Sequence, residues 1–174
     1  DNRPVIDIII QRLPATLQLA LAGLFVELLF GLPIGILAAL RPGSWIDGIA
    51  TVIALIGVSI PQFAFGLVAL YLFGFVIPIF PLGGYGTVAH LILPSLVLGI
   101  GGIAFYSRVI RTSILEVANE DYVRTARAKG LSNRRVLTWH VGRNALIPFV
   151  TVMLPEIPNI LTGSIFIEQA FRIP

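Results

Sequence analysis

The chain has 174 residues, 56% of them hydrophobic and only 12% charged, and a net charge of +3. Its mean hydropathy of +0.92 excludes an ordinary water-soluble domain, and the lack of cysteine excludes disulfides, thiolate metal sites and thiol nucleophiles. Residues 48–107 carry no formal charge, which is typical of a chain that lies in lipid. Because the sequence opens at Asp1 without a signal peptide, we expect an internal piece of a longer membrane protein.

Four apolar segments are long enough to cross a bilayer, which takes about 20 residues of helix. The first begins at Pro14, a residue that suits the first turn of a helix, and ends at Arg41-Pro42-Gly43. The second is interrupted by Ser59-Ile60-Pro61-Gln62, where proline breaks or kinks the helix. The fourth contains three prolines, which a membrane helix tolerates when neighbouring helices pack around it. The predicted spans of this all-α, polytopic protein are residues 14–40, 49–77, 91–110 and 145–167.

Basic residues set the expected orientation of these spans. Of the eleven charged residues from Arg108 to Arg143, eight are basic, so the loop between the third and fourth spans is predicted to be cytoplasmic. Alternation then places the loop 41–47 inside, the loop 78–89 outside, and both ends of the chain outside. Arg3 and Arg12 oppose this orientation, but the eight basic residues from Arg108 to Arg143 outnumber them.

Motifs that would indicate an enzyme or a bound cofactor are missing from the sequence. It has no G-x-x-x-x-G-K-[ST] phosphate loop and no G-x-S-x-G nucleophile elbow. His90 and His140 lie far apart with no partner motif, so we predict no metal site, no cofactor and no enzymatic activity. Gly99, Gly101 and Gly102 lie inside an apolar span, where they indicate close helix packing.

The loop between the third and fourth spans predicts a short helix of its own. Asn119 is its predicted N-cap, and the two acids that follow complement the positive end of the helix dipole. Gly130 suits the left-handed position that ends a helix, which leaves about ten helical residues. Ser132 can cap the next helix, which leads through Asn144 into the fourth span. Two uses stay open for this basic helix: insertion into a groove on a soluble partner, or attachment to anionic lipid headgroups.

The same loop resembles that of a known transporter family. Glu116–Arg135 (EVANEDYVRTARAKGLSNRR), followed by Arg143–Pro148, is similar to the cytoplasmic EAA loop of ABC-importer permeases. The similarity is greatest to the dipeptide, oligopeptide, nickel and glutathione branch, and Arg124 and Thr125 depart from the broad EAA consensus in a way typical of that branch. Further similar segments are Arg12–Leu17, Ser59–Phe63, Leu93–Leu96 and Phe171–Pro174.

The resemblance implies a partial type I ABC-importer transmembrane domain over residues 1–174, with about four of six transmembrane helices. Residues 115–133 would be the coupling loop that docks on a separate cytoplasmic ATPase. The residues implied for this contact are Glu116, Asp121, Tyr122, Arg124, Thr125, Ala126, Lys129, Gly130, Leu131 and Ser132. Implied partners are a second permease subunit, cytoplasmic ATP-binding subunits, an extracytoplasmic solute-binding protein and the lipid bilayer, but no nucleic acid. The implied location is the inner membrane of a prokaryotic cell, and the implied solute is a peptide or a related small molecule.

Polar side chains inside the predicted spans are candidates for the translocation pathway. An ionised Glu27 in the first span would cost several kcal/mol in lipid, which fits either a pathway group or a buried, hydrogen-bonded or protonated carboxyl. Backbone groups freed at the Pro61 break favour a cavity-facing Gln62. The candidate pathway residues are Glu27, Ser59, Gln62, Glu156 and Asn159. Two alternatives stay open: an ion-coupled secondary transporter that uses intramembrane carboxylates, and a membrane anchor without transport.

Overall fold

A computed structural model describes residues 4–45, 47–49, 51–52, 55 and 61–174. All regular secondary structure in these residues is helical, as the predicted all-α fold requires. In chain order the helices whose bounds the structure describes are α1 (Val5–Leu40), α2 (Gln62–Leu70), α3 (Val88–Ala118), α4 (Asp121–Ala128), α5 (Asn133–Arg135) and α6 (Arg143–Ala170). Among the described residues between α1 and α2, residues 45, 47–49, 51–52 and 55 are also helical. π-Helical turns extend α2 over Tyr71–Val76 and join α5 to α6 over Val136–Gly142.

Three helical stretches in the described part of the chain are long and apolar enough to cross a membrane. They cover Ile6–Leu40, Val88–Ala118 and Asn133–Ala170. These stretches contain the first, third and fourth predicted spans, and each extends beyond the predicted bounds at one end or both. The second predicted span, 49–77, includes residues outside the described ranges, and its described part contains the shorter apolar helix Gln62–Val76.

Two prolines differ in their effect on the helices. Pro14 lies well inside α1, so its predicted place in the first turn of the helix is wrong. The ring frees one carbonyl of the preceding turn, a defect that membrane helices accommodate through their neighbours. Pro61 has φ −57° and ψ 127°, outside the helical region, and α2 begins at the next residue, as the predicted break requires. The Ser59 and Ile60 part of that break lies outside the described residues.

Helices α1 and α3 run parallel and pack closely through glycine. A Cβ on Gly23 would lie 2.7 Å from Leu98 Cδ2, and a Cβ on Gly99 would lie 2.6 Å from Val26 Cγ1. Both distances are well below ordinary carbon contact, so a Cβ at either position would displace the facing side chain. The displacement is harder at Gly99, because its Cβ would also lie 2.9 Å from Val26 Cβ, an atom fixed to the backbone of α1. The predicted packing role of Gly99 is therefore confirmed.

Two buried apolar clusters lie at opposite ends of the bundle. The cluster at the α4 end includes Tyr106, Ile110, Val123, Val136 and Phe149. The cluster at the opposite end includes Leu19, Val97, Leu98, Ile167 and Phe171. Large apolar side chains on the outer surface, such as Leu21, Phe25 and Ile147, are about two-thirds exposed, which suits a surface that faces lipid. The core therefore consists of two apolar layers, and α1, α3 and α6 pass through both.

Candidate functional sites: an intramembrane cleft and an exposed helix

A cleft of about 240 Å³ lies between α1, α2, α3 and α6. Four of the predicted pathway residues line it: Glu27 from α1, Gln62 from α2, and Glu156 and Asn159 from α6. Ser59, the fifth predicted residue, lies outside the described part of the chain. Along α1, α3 and α6 the cleft residues lie between the two apolar clusters. The fold thus brings polar side chains that are far apart in sequence to one site inside the membrane-spanning bundle.

Hydrogen bonds orient two amide side chains of the cleft. Gln62 Nε2 donates to the carbonyl oxygen of Leu98 at 3.1 Å, which links α2 to α3. Asn159 Nδ2 donates to Glu156 Oε2 at 3.0 Å, one turn away on α6. Because its amide nitrogen is engaged by Leu98, Gln62 offers its Oε1 as the acceptor of this side chain.

Glycines provide the room for these polar side chains. A Cβ on Gly101 would lie 2.7 Å from Gln62 Nε2, and a Cβ on Gly102 would collide with the carboxyl group of Glu27. A Cβ on Gly163 would lie 3.5 Å from Gln62 Oε1, which is ordinary contact. The predicted close packing at Gly101 and Gly102 is therefore contact between a glycine and a polar side chain of another helix.

Two buried polar groups at the cleft have no hydrogen-bond partner among the described residues. They are Glu27 Oε2 and the hydroxyl of Tyr106. Glu27 is only 3% exposed and Tyr106 only 1%. A buried polar group without a partner costs about 1–3 kcal/mol, and a charged one costs more. A bound ligand could supply the hydrogen-bond partners that these two groups lack. Tyr106 was not among the residues predicted from the sequence, where its only signal is a lone hydroxyl inside the apolar stretch of α3.

A further carboxyl that the sequence analysis missed lies outside this cleft. Glu168 is buried near the C-terminal end of α6, and its Oε1 accepts a hydrogen bond of 3.0 Å from Ser164 Oγ. The i, i+4 spacing of Ser164 and Glu168 was the available signal, since residues four apart meet on one helix face. Glu168 therefore has a partner on its own helix, unlike Glu27 Oε2.

Helix α4 lies at one end of the bundle and exposes most of its surface. Val123 and Ala126 are buried, at 0% and 5% exposure, in the apolar cluster that also contains Val136 and Val141. The methyl group of Ala126 thus packs against the bundle, on the side of α4 opposite to its exposed surface. Of the other residues implied for ATPase contact, Leu131 is half-buried, and the exposed ones are Glu116, Asp121, Tyr122, Arg124, Thr125, Lys129, Gly130 and Ser132.

The start of α4 differs from the prediction, whereas its end agrees with it. Asn119 is not the N-cap: it ends α3, and its Nδ2 donates to the carbonyl of Leu115 at 3.0 Å. The prediction is wrong because α3 continues to Ala118, so the Asn119 side chain serves the preceding helix. Glu120 takes the N-cap position, and α4 is shorter than predicted, with eight residues. Gly130 has φ +78°, in the left-handed region that the predicted helix end requires.

Polar contacts attach α4 to the start of α6. The hydroxyl of Tyr122 donates to the carbonyl of His140 at 3.2 Å and accepts a hydrogen bond of 2.9 Å from Asn144 Nδ2. Asn144 Nδ2 also donates to the His140 carbonyl at 2.9 Å. Ser132 occupies the predicted N-cap position of α5, but its side chain makes no capping hydrogen bond there. These contacts connect the exposed helix to the same long helix that carries Glu156 and Asn159.

An ion pair joins Asp47, in a helical segment that follows α1, to α3. Arg111 Nε donates to Asp47 Oδ1 at 2.6 Å, and Arg111 Nη2 donates to Asp47 Oδ2 at 2.7 Å. The backbone N–H of Gly43 donates to Asp47 Oδ2 at 2.9 Å. The hydrogen bond from Arg111, followed by that from Gly43, lowers the pKa of Asp47, so the carboxylate stays ionised at a pH where an ordinary aspartate becomes protonated. This pair could not be predicted from the sequence, because its members are 64 positions apart.

The long apolar helices, their apolar outer surface and the polar cleft between them define a multi-pass membrane protein. Residues 31–174 match the family described as binding-protein-dependent transport system inner membrane component. The chain belongs to this family, which confirms the resemblance seen in the loop before the fourth span. Its membership places the chain in the prokaryotic inner membrane, as predicted.

Curated relatives from several bacteria are similar to this chain. The dipeptide transport system permease protein DppB of Lactococcus lactis subsp. cremoris is 38% identical over 173 residues, covering 99% of this chain and 57% of the relative. The oligopeptide transport system permease protein AppB of Bacillus subtilis is 41% identical over 181 residues, covering 98% of this chain and 57% of the relative. The chain therefore spans little more than half the length of the curated relatives it matches.

Proposed function

We propose that the chain is part of a permease subunit that forms half of the translocation pathway of an ATP-driven peptide importer. The observation that carries this proposal is a polar cleft among the spanning helices of a chain of this family, with an exposed charged helix attached at one end. The names of the relatives, which specify dipeptide and oligopeptide transport, support a peptide as the solute. The subunit moves this solute and carries out no chemistry on it.

In this proposal, α4 is the coupling helix that receives motion from a cytoplasmic ATP-binding subunit. The side chains of Asp121 and Arg124 on this helix are 97% and 69% exposed. Their ion pair of 3.6 Å is weak because it lies in solvent, so both side chains are available to a partner. Tyr122 connects α4 to the helical stretch Asn133–Ala170, which reaches the cleft without a break. A displacement of α4 would therefore move Glu156 with it.

The other proposed partners complete an importer of this type. They are a second permease subunit, which supplies the other half of the pathway, a second ATP-binding subunit and an extracytoplasmic solute-binding protein. The family description, which specifies dependence on a binding protein, supports the last of these. The ion-coupled alternative has no support among the relatives, whose names specify transport-system permeases.

ATP-driven uptake tests the proposed function. The full-length permease, assembled with its partner subunits in liposomes, is expected to accumulate a radiolabelled tripeptide only when ATP and the loaded binding protein are both present. The control replaces ATP with an imposed proton or sodium gradient. Uptake driven by the gradient alone would contradict the proposal and favour the ion-coupled alternative.

The proposed orientation makes a separate prediction about labelling from outside the cell. Asn133 and Tyr85 lie in segments that charge asymmetry places on opposite sides of the membrane, and both are exposed. In an otherwise cysteine-free full-length permease, Tyr85→Cys is expected to react with an impermeant maleimide on intact cells, whereas Asn133→Cys reacts only after the cells are opened. The reverse pattern would invert the topology and remove α4 from the reach of a cytoplasmic ATPase.

A further inference from the structure

We propose that the cleft between α1, α2, α3 and α6 is a subsite for the amino-terminal ammonium group of the transported peptide, with Glu27 and Glu156 as its anionic ligands. This inference rests on the proposed function, because it assigns one chemical group of the peptide to one place in the pathway. It goes beyond that function by naming the residues that recognise the group.

The charge of the cleft suits a cation. Glu27 and Glu156 are acidic, and none of the described residues that line the cleft is basic. Glu27 Oε2 is buried without a partner among the described residues, whereas Glu156 Oε2 accepts one hydrogen bond, from Asn159. An ammonium group has three N–H donors and no acceptor, so it matches a set of carboxylate and amide oxygens.

The arrangement of acceptors also explains why a ligand would stabilise the site. A carboxylate held inside a membrane span without a partner is costly, and a bound cation offsets that cost. A hydrogen bond between two charged groups is about twice as strong as one between neutral groups. Gln62 Oε1 is the third acceptor, because the bond from Gln62 Nε2 to Leu98 fixes the orientation of the amide. Glu27, Glu156 and Gln62 come from three different helices, so a bound ammonium would join them.

The size and the apolar part of the cleft favour the amino-terminal end of a peptide over a lysine side chain as the source of the ammonium group. Leu98, Phe105 and Ile160 line the cleft beside the polar groups. Its volume of about 240 Å³ is several times the share of one water molecule, about 30 Å³. This space accommodates a backbone amino group together with the first part of its residue. A lysine from a neighbouring subunit would leave much of it empty.

Photocrosslinking during transport tests the subsite. The probe is a tripeptide with a free α-amino group and a diazirine-bearing leucine as its first residue. The full-length complex in liposomes is illuminated during ATP-driven uptake, and mass spectrometry locates the adducts. We expect adducts on residues 98–106 and 156–163, the segments of α3 and α6 that line the cleft.

Two variants of the cleft and one control distinguish recognition from a general effect on the bundle. Glu27→Gln and Glu156→Gln keep the size of the side chain and remove its charge, and each is expected to lower the adduct yield per complex about tenfold. Glu168→Gln is the matched control, because Glu168 is also a buried carboxyl of a spanning helix but lies outside the cleft with its own partner, Ser164. Its adduct yield is expected to stay at the wild-type level.

Several outcomes would overturn the subsite and leave the proposed function intact. One is ATP-driven uptake in wild type with no adduct on the cleft segments, and another is an unchanged yield in Glu27→Gln and Glu156→Gln. A third is that Glu27→Gln prevents assembly of the two permease subunits before any peptide is added, while Glu156→Gln assembles and keeps its adduct yield. That result would assign Glu27 to a lysine of the partner subunit. Failure of the wild type to take up the tripeptide with ATP would instead contradict the proposed function.

Discussion

A Gly130→Val variant of the full-length permease is expected to reach the membrane at normal levels and to lose most of its ATP-driven uptake. Gly130 has φ +78°, in the left-handed region that a β-branched residue adopts only at a cost of about 1–2 kcal/mol. A cost of this size changes the population of the correctly ended helix by about 5- to 30-fold. The spanning helices are unaffected, because a Cβ on Gly130 would have no heavy atom within 4 Å.

The hydrogen bonds at this helix end explain why the cost would fall on the proposed docking of α4. The N–H of Gly130 donates to Arg127 O at 3.0 Å, and the N–H of Leu131 donates to Ala126 O at 3.3 Å, which is the pattern of a Schellman motif. Leu131 then packs against the apolar cluster at the α4 end. If residue 130 leaves the left-handed region, Leu131 loses this position, and the last turn of α4 no longer keeps its orientation to the bundle.

Gly130→Asn is the matched control, because asparagine enters the left-handed region more readily than other non-glycine residues. It is expected to keep most of the uptake and most of the ATP hydrolysis stimulated by the loaded binding protein. Uptake and stimulated hydrolysis are measured together in liposomes, and immunoblots measure the amount of permease. Wild-type values in Gly130→Val would show that α4 is a basic tether at the lipid surface and not a coupling helix.

The sequence could predict the long helices because each crossing of a bilayer needs a long apolar segment, but it could not predict where they end. Helix α3 continues to Ala118, past the predicted limit of residue 110. Ser113 and Ile114 are buried there, and Ile114 belongs to the cluster that contains Val123 of α4. The hydropathy of one segment does not show which other segment packs against it, so it could not show that α3 extends to meet α4.

The candidate residues of the cleft could be chosen one at a time, but their shared location could not be inferred. Glu27, Gln62 and Glu156 each stand out because polar groups are costly in lipid. That they meet at one cleft depends on the parallel packing of α1 and α3 and on the opposite course of α6. Tyr106 escaped notice because a tyrosine combines an apolar ring with one hydroxyl, and the pattern of the sequence does not tell whether that hydroxyl has a partner.

The buried face of α4 could have been predicted from the sequence. Val123 and Ala126 are three residues apart, so they lie on the same side of a helix, and both are buried. The resemblance assigned Ala126 to the ATPase contact without regard to this periodicity. By contrast, the ion pair of Asp47 with Arg111 joins positions 64 residues apart, which no local pattern indicates.

The largest loss of stability is expected at Gly35, where α1 meets the backbone of α3. A Cβ on Gly35 would collide with the carbonyl oxygen of Ser107 and with Ile110 Cγ2, and it would lie 2.9 Å from Ser107 Cα. One turn earlier, a Cβ on Gly31 would lie 3.2 Å from the carbonyl oxygen of Ile103. Gly31 and Gly35 have the small-xxx-small spacing that lets two membrane helices approach closely.

Gly35→Ala is therefore expected to destabilise the full-length permease by at least about 1–3 kcal/mol, the usual cost of one added methyl group in a packed core. A side chain could rotate away, but the Ser107 backbone can yield only if α1 and α3 separate, and their separation would also disturb the cleft. Gly48→Ala is the control, since a Cβ there would have no heavy atom within 4 Å and its backbone is helical. Thermal unfolding of the purified permease is expected to begin several degrees lower in Gly35→Ala and to begin at the wild-type temperature or slightly above it in Gly48→Ala, because alanine favours a helix more than glycine does. Equal melting temperatures for the two variants would mean that α1 and α3 do not pack as closely as the glycine contacts indicate.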